Sequence, residues 1–272
     1  MRLSRPRKLA LVAVALLAVG LAGRAAAETT PAPKTQAVAP AVKATAKPKK
    51  KPAPRTKANA KAKAVAHRTP IGPGGSKMIT GSRGVALTFD DGPDPVQTPA
   101  LLKLLKQQKV HATFCLVGKN VHRHPELVRQ IVAGGHTLCN HTWSHDLRLG
   151  KRTAAQIRAD LARTNAEIRK AAPTAKIKFF RAPGGNFTPG VVAIARSMGM
   201  SSLYWRVDPR DWEHPEGETD AQHRWRVIQR VQRNTHDGAI VLSHDYAQPD
   251  TIAAYRTLLP WLKKRHQLVG LQ

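Results

Sequence analysis

Acidic residues are scarce in this 272-residue chain: 17 Asp and Glu stand against 45 Lys and Arg. Where a carboxylate does occur, its position is informative. Cysteine is rarer still, with only Cys115 and Cys139, so at most one internal disulfide can form. No G-x-G-x-x-G follows any apolar run, which argues against dinucleotide binding. No G-x-S-x-G occurs, and the adjacent Ser243-His244-Asp245 cannot fold back into a catalytic triad, so a serine hydrolase is disfavoured. The longest apolar stretch, Leu9 to Ala22, has 14 residues, short of the roughly 20 a membrane-spanning helix needs. No stable membrane anchor is expected. No internal repeat of longer period is present.

The basic excess is concentrated at the front. Arg2, Arg5, Arg7 and Lys8 precede the apolar stretch, and Ala25 and Ala27 supply small residues for cleavage before Glu28. Residues 1–27 read as an export signal, and the lack of an Arg-Arg pair favours the general secretory route. Residues 28–78 are Pro, Ala and Lys with a single acid, Glu28. Such a segment has too little to bury to offset the entropy of ordering, and reads as a disordered, self-repelling linker. An exported chain meets wall carboxylates and phosphates rather than nucleic acid, so the tail is either a contact to anionic wall polymers or an inert spacer. Taking away the 17 basic residues before residue 79 leaves 28 against 16 acids for residues 79–272.

In that remainder, strand and helix signals alternate. "GVALTF", "HATFCLV", "HTLCN", "IKFFR", "SSLYWRV", "AIVLS" and "QLVG" read as seven strands. Thr98, with Pro99 after it, signals one helix start, and Gly134 closes the helix "PELVRQIVAGG". Thr153 and Gln156 make a capping box. Further helices fall near 189–198, 219–234 and 251–265, the last containing Pro260. The pattern predicts an α/β fold with a parallel sheet closed into a barrel, an open doubly wound sheet being the alternative. Cys115 and Cys139 sit near the ends of consecutive strands, either bridged or as two buried thiols.

In either architecture ligands gather at the carboxyl ends of strands. The scarce polar groups follow the apolar runs: Asp90 and Asp91, then His141 and His145, Arg181, Asp208 and Asp211, and His244 and Asp245. "HTWSH" aims two imidazoles the same way, and with a strand-end carboxylate makes a two-histidine, one-carboxylate set with open positions, the pattern of a catalytic zinc site. A non-haem iron site has the same ligands. Two adjacent ionised carboxylates repel. A divalent cation ligating Asp91 removes that difficulty and leaves Asp90 ionised as a general base. His244 is a fitting acid if a carboxylate keeps it protonated, with Asp208 the candidate. Arg181 can steady Asp90, and "RAPGG" offers the N–H groups of Gly184 and Gly185 to an oxyanion.

In order, "TFDDGP", "HTWSH", "RAPGG", "DPRDW" and "LSH" resemble the five motifs of the NodB-type polysaccharide deacetylases, carbohydrate esterase family four, over about residues 83 to 270. The resemblance implies a distorted, incomplete (β/α) barrel of seven to eight strands, preceded here by the tail, with residues 79–272 as the catalytic domain. It implies metal-dependent removal of acetyl groups from N-acetylglucosamine units of peptidoglycan or chitin-like oligomers, and with the export signal and basic tail a secreted, wall-associated monomer is expected. Acetylated xylan esters, or wall binding without catalysis, are the alternatives. By position, Asp91, His141 and His145 would hold zinc, cobalt or nickel, Asp90 would be the base, and Arg181 would orient it. Asp208 would tune His244, the acid, while Trp212 and Leu242 would line the acetyl pocket. The family often has a tyrosine where this chain has Gly184, which leaves only its N–H for the oxyanion.

Overall fold

The computed structural model describes residues 70–272. The export signal and the linker up to residue 69 lie outside the described residues. The fold starts ahead of the expected boundary at 79. Lys77 pairs in parallel with Leu203; its N–H donates to Ser202 O at 2.8 Å and its carbonyl accepts from Tyr204 N–H at 2.7 Å. These are main-chain bonds to residues more than a hundred positions away, so composition does not signal them.

Six parallel strands form one curled sheet: β1 (Ala86–Asp90), β2 (Thr113–Leu116), β3 (Thr137–Asn140), β4 (Ile177–Phe180), β5 (Ser201–Ser202) and β6 (Ile240–His244). Their order is β5-β4-β3-β2-β1-β6. The expected strand "SSLYWRV" is an ordered strand for two residues only. It then crosses from one sheet edge to the other. Ser201 and Ser202 pair with β4, whereas Val207 bridges Val241 of β6, with Leu242 N–H donating to Val207 O at 2.9 Å. One short segment thus draws the two edges together, and the barrel is distorted and incomplete. The seventh expected strand, "QLVG", is reduced to a bridge from Leu268 to Val85.

Helices α1 (Gln97–Gln108), α2 (Gly118–Arg123), α3 (Pro125–Ala133), α4 (Ala154–Ala171), α5 (Pro189–Ser197), α6 (Asp220–Asn234) and α7 (Pro249–Arg265) surround the sheet. The capping box of Thr153 and Gln156 opens α4, and a second one, Thr219 with Gln222, opens α6. Helix α1 is capped differently from the sequence signal. Asp94, not Thr98, accepts the N–H groups of Val96 and Gln97 through its carboxylate, each at 2.7 Å. Thr98 lies inside the helix and is fully buried. At the end of α3 the left-handed residue is Gly135 rather than Gly134.

The two faces of the strands build two cores because strand side chains alternate. Leu87 and Phe89 of β1, Phe114 and Leu116 of β2 and Val241 of β6 point outward and pack with Leu101 and Leu105 of α1 and Leu258 of α7. Burying each such side chain contributes roughly 1.5–3 kcal/mol. Ala86, Cys115, Cys139, Phe179, Leu203 and Ile240 point inward and fill the barrel. Cys115 and Cys139 are register partners on β2 and β3 and form a disulfide. Among the described residues no helix is long and apolar enough to cross a membrane.

Candidate active site

The inward faces, followed upward, lead from the apolar filling to the charged residues. Ala86 and Thr88 lead to Asp90, Cys139 to His141, Phe179 to Arg181, and Ile240 and Leu242 to His244. Alternation with period two therefore carries four functional side chains to one rim. The adjoining loops add Asp91 and His145 by way of left-handed backbone, with φ of 75° at Asp91, 67° at Thr142 and 58° at His145. Such conformations cost of order 1–3 kcal/mol each in a non-glycine residue. The loop is anchored accordingly: Asn120 donates its amide to Asp91 O at 2.7 Å, and Val117 N–H donates to Gly92 O at 3.0 Å.

Arg181 is fully buried, and each of its guanidinium nitrogens has a partner. Its Nη1 donates to Asp90 Oδ1 at 2.7 Å and to Thr88 Oγ1 at 2.8 Å. Nε and Nη2 reach the carbonyls of Leu203 and Tyr204, both at 3.2 Å. A buried ion pair is tolerable only when its remaining donors find partners in this way. The Arg181 carbonyl in turn accepts from His141 Nδ1 at 2.8 Å. With Nδ1 carrying the proton, His141 Nε2 presents a lone pair to the cavity, the usual orientation of a metal-ligating imidazole.

His141 Nε2 and His145 Nε2 each lie 3.3 Å from Asp91 Oδ1, and the three donor atoms fall within 4.8 Å of one another. Asp91 Oδ1 is buried without a hydrogen-bond partner. An orphaned carboxylate oxygen facing a bare imidazole nitrogen is costly unless a cation lies between them. The donor set, one carboxylate and two imidazoles, fits a divalent transition metal. Without a cation in place, burial opposes ionisation of Asp91, but a protonated His141, with the charges of His244 and His145, outweighs it and holds its carboxyl well below the ordinary range.

Across the cavity stands His244. Its Nδ1 and its backbone N–H both donate to Asp211, each at 2.8 Å, and Thr251 donates to the same carboxylate at 2.7 Å. Burial disfavours the imidazolium, but the fully buried Asp211 overrides it and pushes the His244 pKa up to about 10. The tuning partner is therefore Asp211 and not Asp208. Asp208 accepts from Arg210 N–H at 2.7 Å and lines the cavity wall, its pKa raised by burial. The two acids are three residues apart, and only the path of the 205–212 loop decides which of them reaches His244.

Asp90, Asp91, His141, His145, Asp208 and His244 line a cavity of about 520 Å³, together with Gly184, Trp205, Trp212 and Leu242. Gly184 has φ +59°, and a Cβ there would lie 3.0 Å from Leu147 and 3.1 Å from Asn186. Of the two expected oxyanion donors only Gly184 keeps a free N–H. Gly185 N–H is taken by Ala182 O at 3.0 Å. Trp212 is half exposed at the mouth, whereas Leu242 is buried in the wall. Beneath the Asp90–Asp91 turn sits Asp245, fully buried, its pKa pushed up to about 7 by burial and by Asp91, Asp90 and Asp94, against a hydrogen bond from Thr98. Gly92 gives it room: a Cβ there would stand 2.6 Å from its carboxylate. A larger cavity, about 680 Å³, lies at the opposite ends of the strands beside Lys106, His111 and His136. No metal-binding triad lies there among the described residues.

Comparison with known proteins points to one family. Residues 77–203 match the family model for polysaccharide deacetylase. A chitooligosaccharide deacetylase of Bradyrhizobium sp. is 36% identical over 200 residues, covering 69% of this chain and 88% of that protein. A peptidoglycan-N-acetylglucosamine deacetylase of Bacillus cereus is 36% identical over 185 residues, covering 66% and 82%. Among solved structures, a CE4 family pseudoenzyme from Bacillus anthracis superimposes with a TM-score of 0.62 at 32% identity, over 70% of this chain and 63% of that one, so this chain spans less than two thirds of its length. With the barrel, the Asp-His-His cluster and these likenesses together, the chain belongs to the CE4/NodB family of polysaccharide deacetylases.

Proposed function

We propose that the protein is an active, exported N-deacetylase that hydrolyses acetamido groups on N-acetylglucosamine units of peptidoglycan or chitin-like glycans. The observation that carries this reading is the placement of three parts around one cavity: the Asp91–His141–His145 cluster, the Asp90–Arg181 pair, and the His244–Asp211 pair. A divalent cation held by the cluster, with zinc the first choice and cobalt or nickel as alternatives, would polarise the acetyl carbonyl and acidify water.

The chain's own residues supply the rest. Asp90, paired with and oriented by Arg181, takes the proton of the attacking water. The free N–H of Gly184 faces the oxygen that gains charge. Trp212 and Leu242 enclose the methyl group. His244, kept charged by Asp211, passes its Nε2 proton to the departing amine nitrogen, so that acetate and a free amine leave. An amine leaves poorly without a proton, and a charge-supported acid is what such a group requires; an O-acetyl ester depends on it less. The cross-strand disulfide Cys115–Cys139 suits an oxidising compartment, in line with the expected export signal and the basic linker that follows it.

The test is acetate release from N-acetylglucosamine oligomers and purified wall glycan by the zinc-loaded protein, with a chelated control. Release that needs the metal supports the reading. A metal-replete, folded protein that frees no acetate from either substrate would make it a wall-binding protein instead.

A further inference from the structure

The catalytic cavity does not end at its own walls. Two further hollows adjoin it through shared wall residues, each against a different part of the β3–α4 loop. One, about 250 Å³, shares Asp91 and His145 with the cavity and is walled by Lys119, Arg123 and Tyr246. The other, about 510 Å³, shares Leu147 and Asn186 with it and is walled by Arg148 and Lys151. A groove therefore runs from one hollow through the site to the other.

The charges along that groove are segregated. Acids stand only at its centre, Asp90, Asp91 and Asp208; apart from the shared Asp91, neither hollow has an acidic wall residue. Lys119, Arg123, Arg148 and Lys151 are all exposed, and none joins an ion pair among the described residues. Asp146, the acid closest in sequence to Arg148, is bound by Arg152 at 3.1 Å. Glu167 is taken by His122 and Lys170. Each end of the groove thus carries two exposed cations with no ion-pair partner among the described residues.

A glycan threaded through this groove puts the sugar being deacetylated at the centre and its two neighbours in the hollows. In a homopolymer of N-acetylglucosamine those neighbours are neutral and give the cations nothing to bind. In an alternating glycan, where every second sugar bears a carboxylate-carrying substituent, both neighbours of each N-acetylglucosamine are anionic. Cations on both sides of the reacting sugar match the second polymer. Building on the deacetylase reading above, we infer that Lys119 with Arg123, and Arg148 with Lys151, are two subsites for carboxylates on the sugars flanking the reacting one. They select an alternating, carboxylate-bearing glycan over a neutral one.

The experiment compares the zinc-loaded wild type with K119Q/R123Q and R148Q/K151Q on three substrates. These are a neutral N-acetylglucosamine pentamer, alternating strands bearing free carboxylates, and the same strands after amidation. Exposed charge pairs contribute about 0.2–1 kcal/mol each. On the anionic strands each double variant should lose roughly twofold to thirtyfold in kcat/KM, through KM, at that worth for two charges. Turnover of the neutral pentamer should stay unchanged, and amidation or added salt should erase the wild-type preference. Equal losses on all three substrates, or no loss on any, would overturn the inference. Binding of the anionic and amidated strands to the metal-free protein is a second readout. It separates failure of the subsites from failure of the chemistry, since a protein that frees no acetate at all must still bind the anionic strand more tightly if the subsites exist. Thermal melts of the variants confirm folding.

Discussion

Two layers of side chains lie on the inner face of the same strands, two to four residues apart, and both are buried. The lower layer is Ala86, Cys115, Cys139, Phe179 and Ile240, closed by a disulfide. The upper is Asp90, His141 and Arg181, with His244 at its edge. Below, burial alone stabilises. Above, each buried charge persists because a named partner meets it: Arg181 for Asp90, the Arg181 carbonyl for His141, Asp211 for His244. Asp91 Oδ1, buried beside this layer without a hydrogen-bond partner, lies where a cation fits. One repeating backbone thus supplies both a packed filling and a reactive rim, and the difference lies wholly in whether a polar group is answered.

The largest effect should come from the rim. Asp90→Asn leaves the Asp91–His141–His145 cluster intact, so metal content should hold while kcat drops by about 10²–10⁴, the usual worth of a general base. His141→Ala should lose metal as well as turnover, as elemental analysis beside acetate release will show. If Asp90→Asn kept full activity, Asp90 would not be the base.

Arg181→Met is the next largest change. It strands Asp90 in a buried site, and denaturant unfolding should register about 3–5 kcal/mol of destabilisation. Breaking the lower layer should cost less. Replacing both Cys115 and Cys139 by alanine should lower stability by about 2–4 kcal/mol while leaving metal binding and KM unchanged, because no rim group depends on the sulfurs.

The smallest effect in the series is on pH dependence. The folded pKa of His244, about 10, lies above its ordinary 6.5. Its charge therefore contributes stability that is complete below about pH 6.5 and is lost as pH rises through about 10. Asp211→Asn removes the charge responsible, and burial then favours the neutral ring. The alkaline limb of kcat/KM should move down by on the order of two pH units, and the pH-dependent part of the stability should vanish. Asp208→Asn should leave that limb in place, which separates the two acids.

Much of this was legible beforehand. The apolar runs located the strands, and the polar residues directly after them located the rim, since side-chain alternation and strand-end loops are local geometry. The capping box at Thr153 is local too, and the structure bears it out. Less legible were features that depend on distant chain. Asp94 captured the α1 terminus, while the Thr98 hydroxyl accepts from Asp94 N–H and donates to the distant Asp245. Helix α2, six residues long, has too short a pattern to detect. Asp211 stood on the rim in the sequence, but nothing local distinguished it from Asp208.

The sequence by itself determined which chemical groups exist and in what order they reach the carboxyl ends of the strands, because alternation with period two is a property of the extended backbone. Only the tertiary structure decided which groups meet. It chose Asp211 for His244, joined Cys115 to Cys139, left Gly184 rather than Gly185 with a free N–H, and drew residues 201–207 from one sheet edge to the other. Those choices rest on strand register and on how far the sheet curls. Both are set by packing among elements far apart in the chain, which no short stretch of residues encodes.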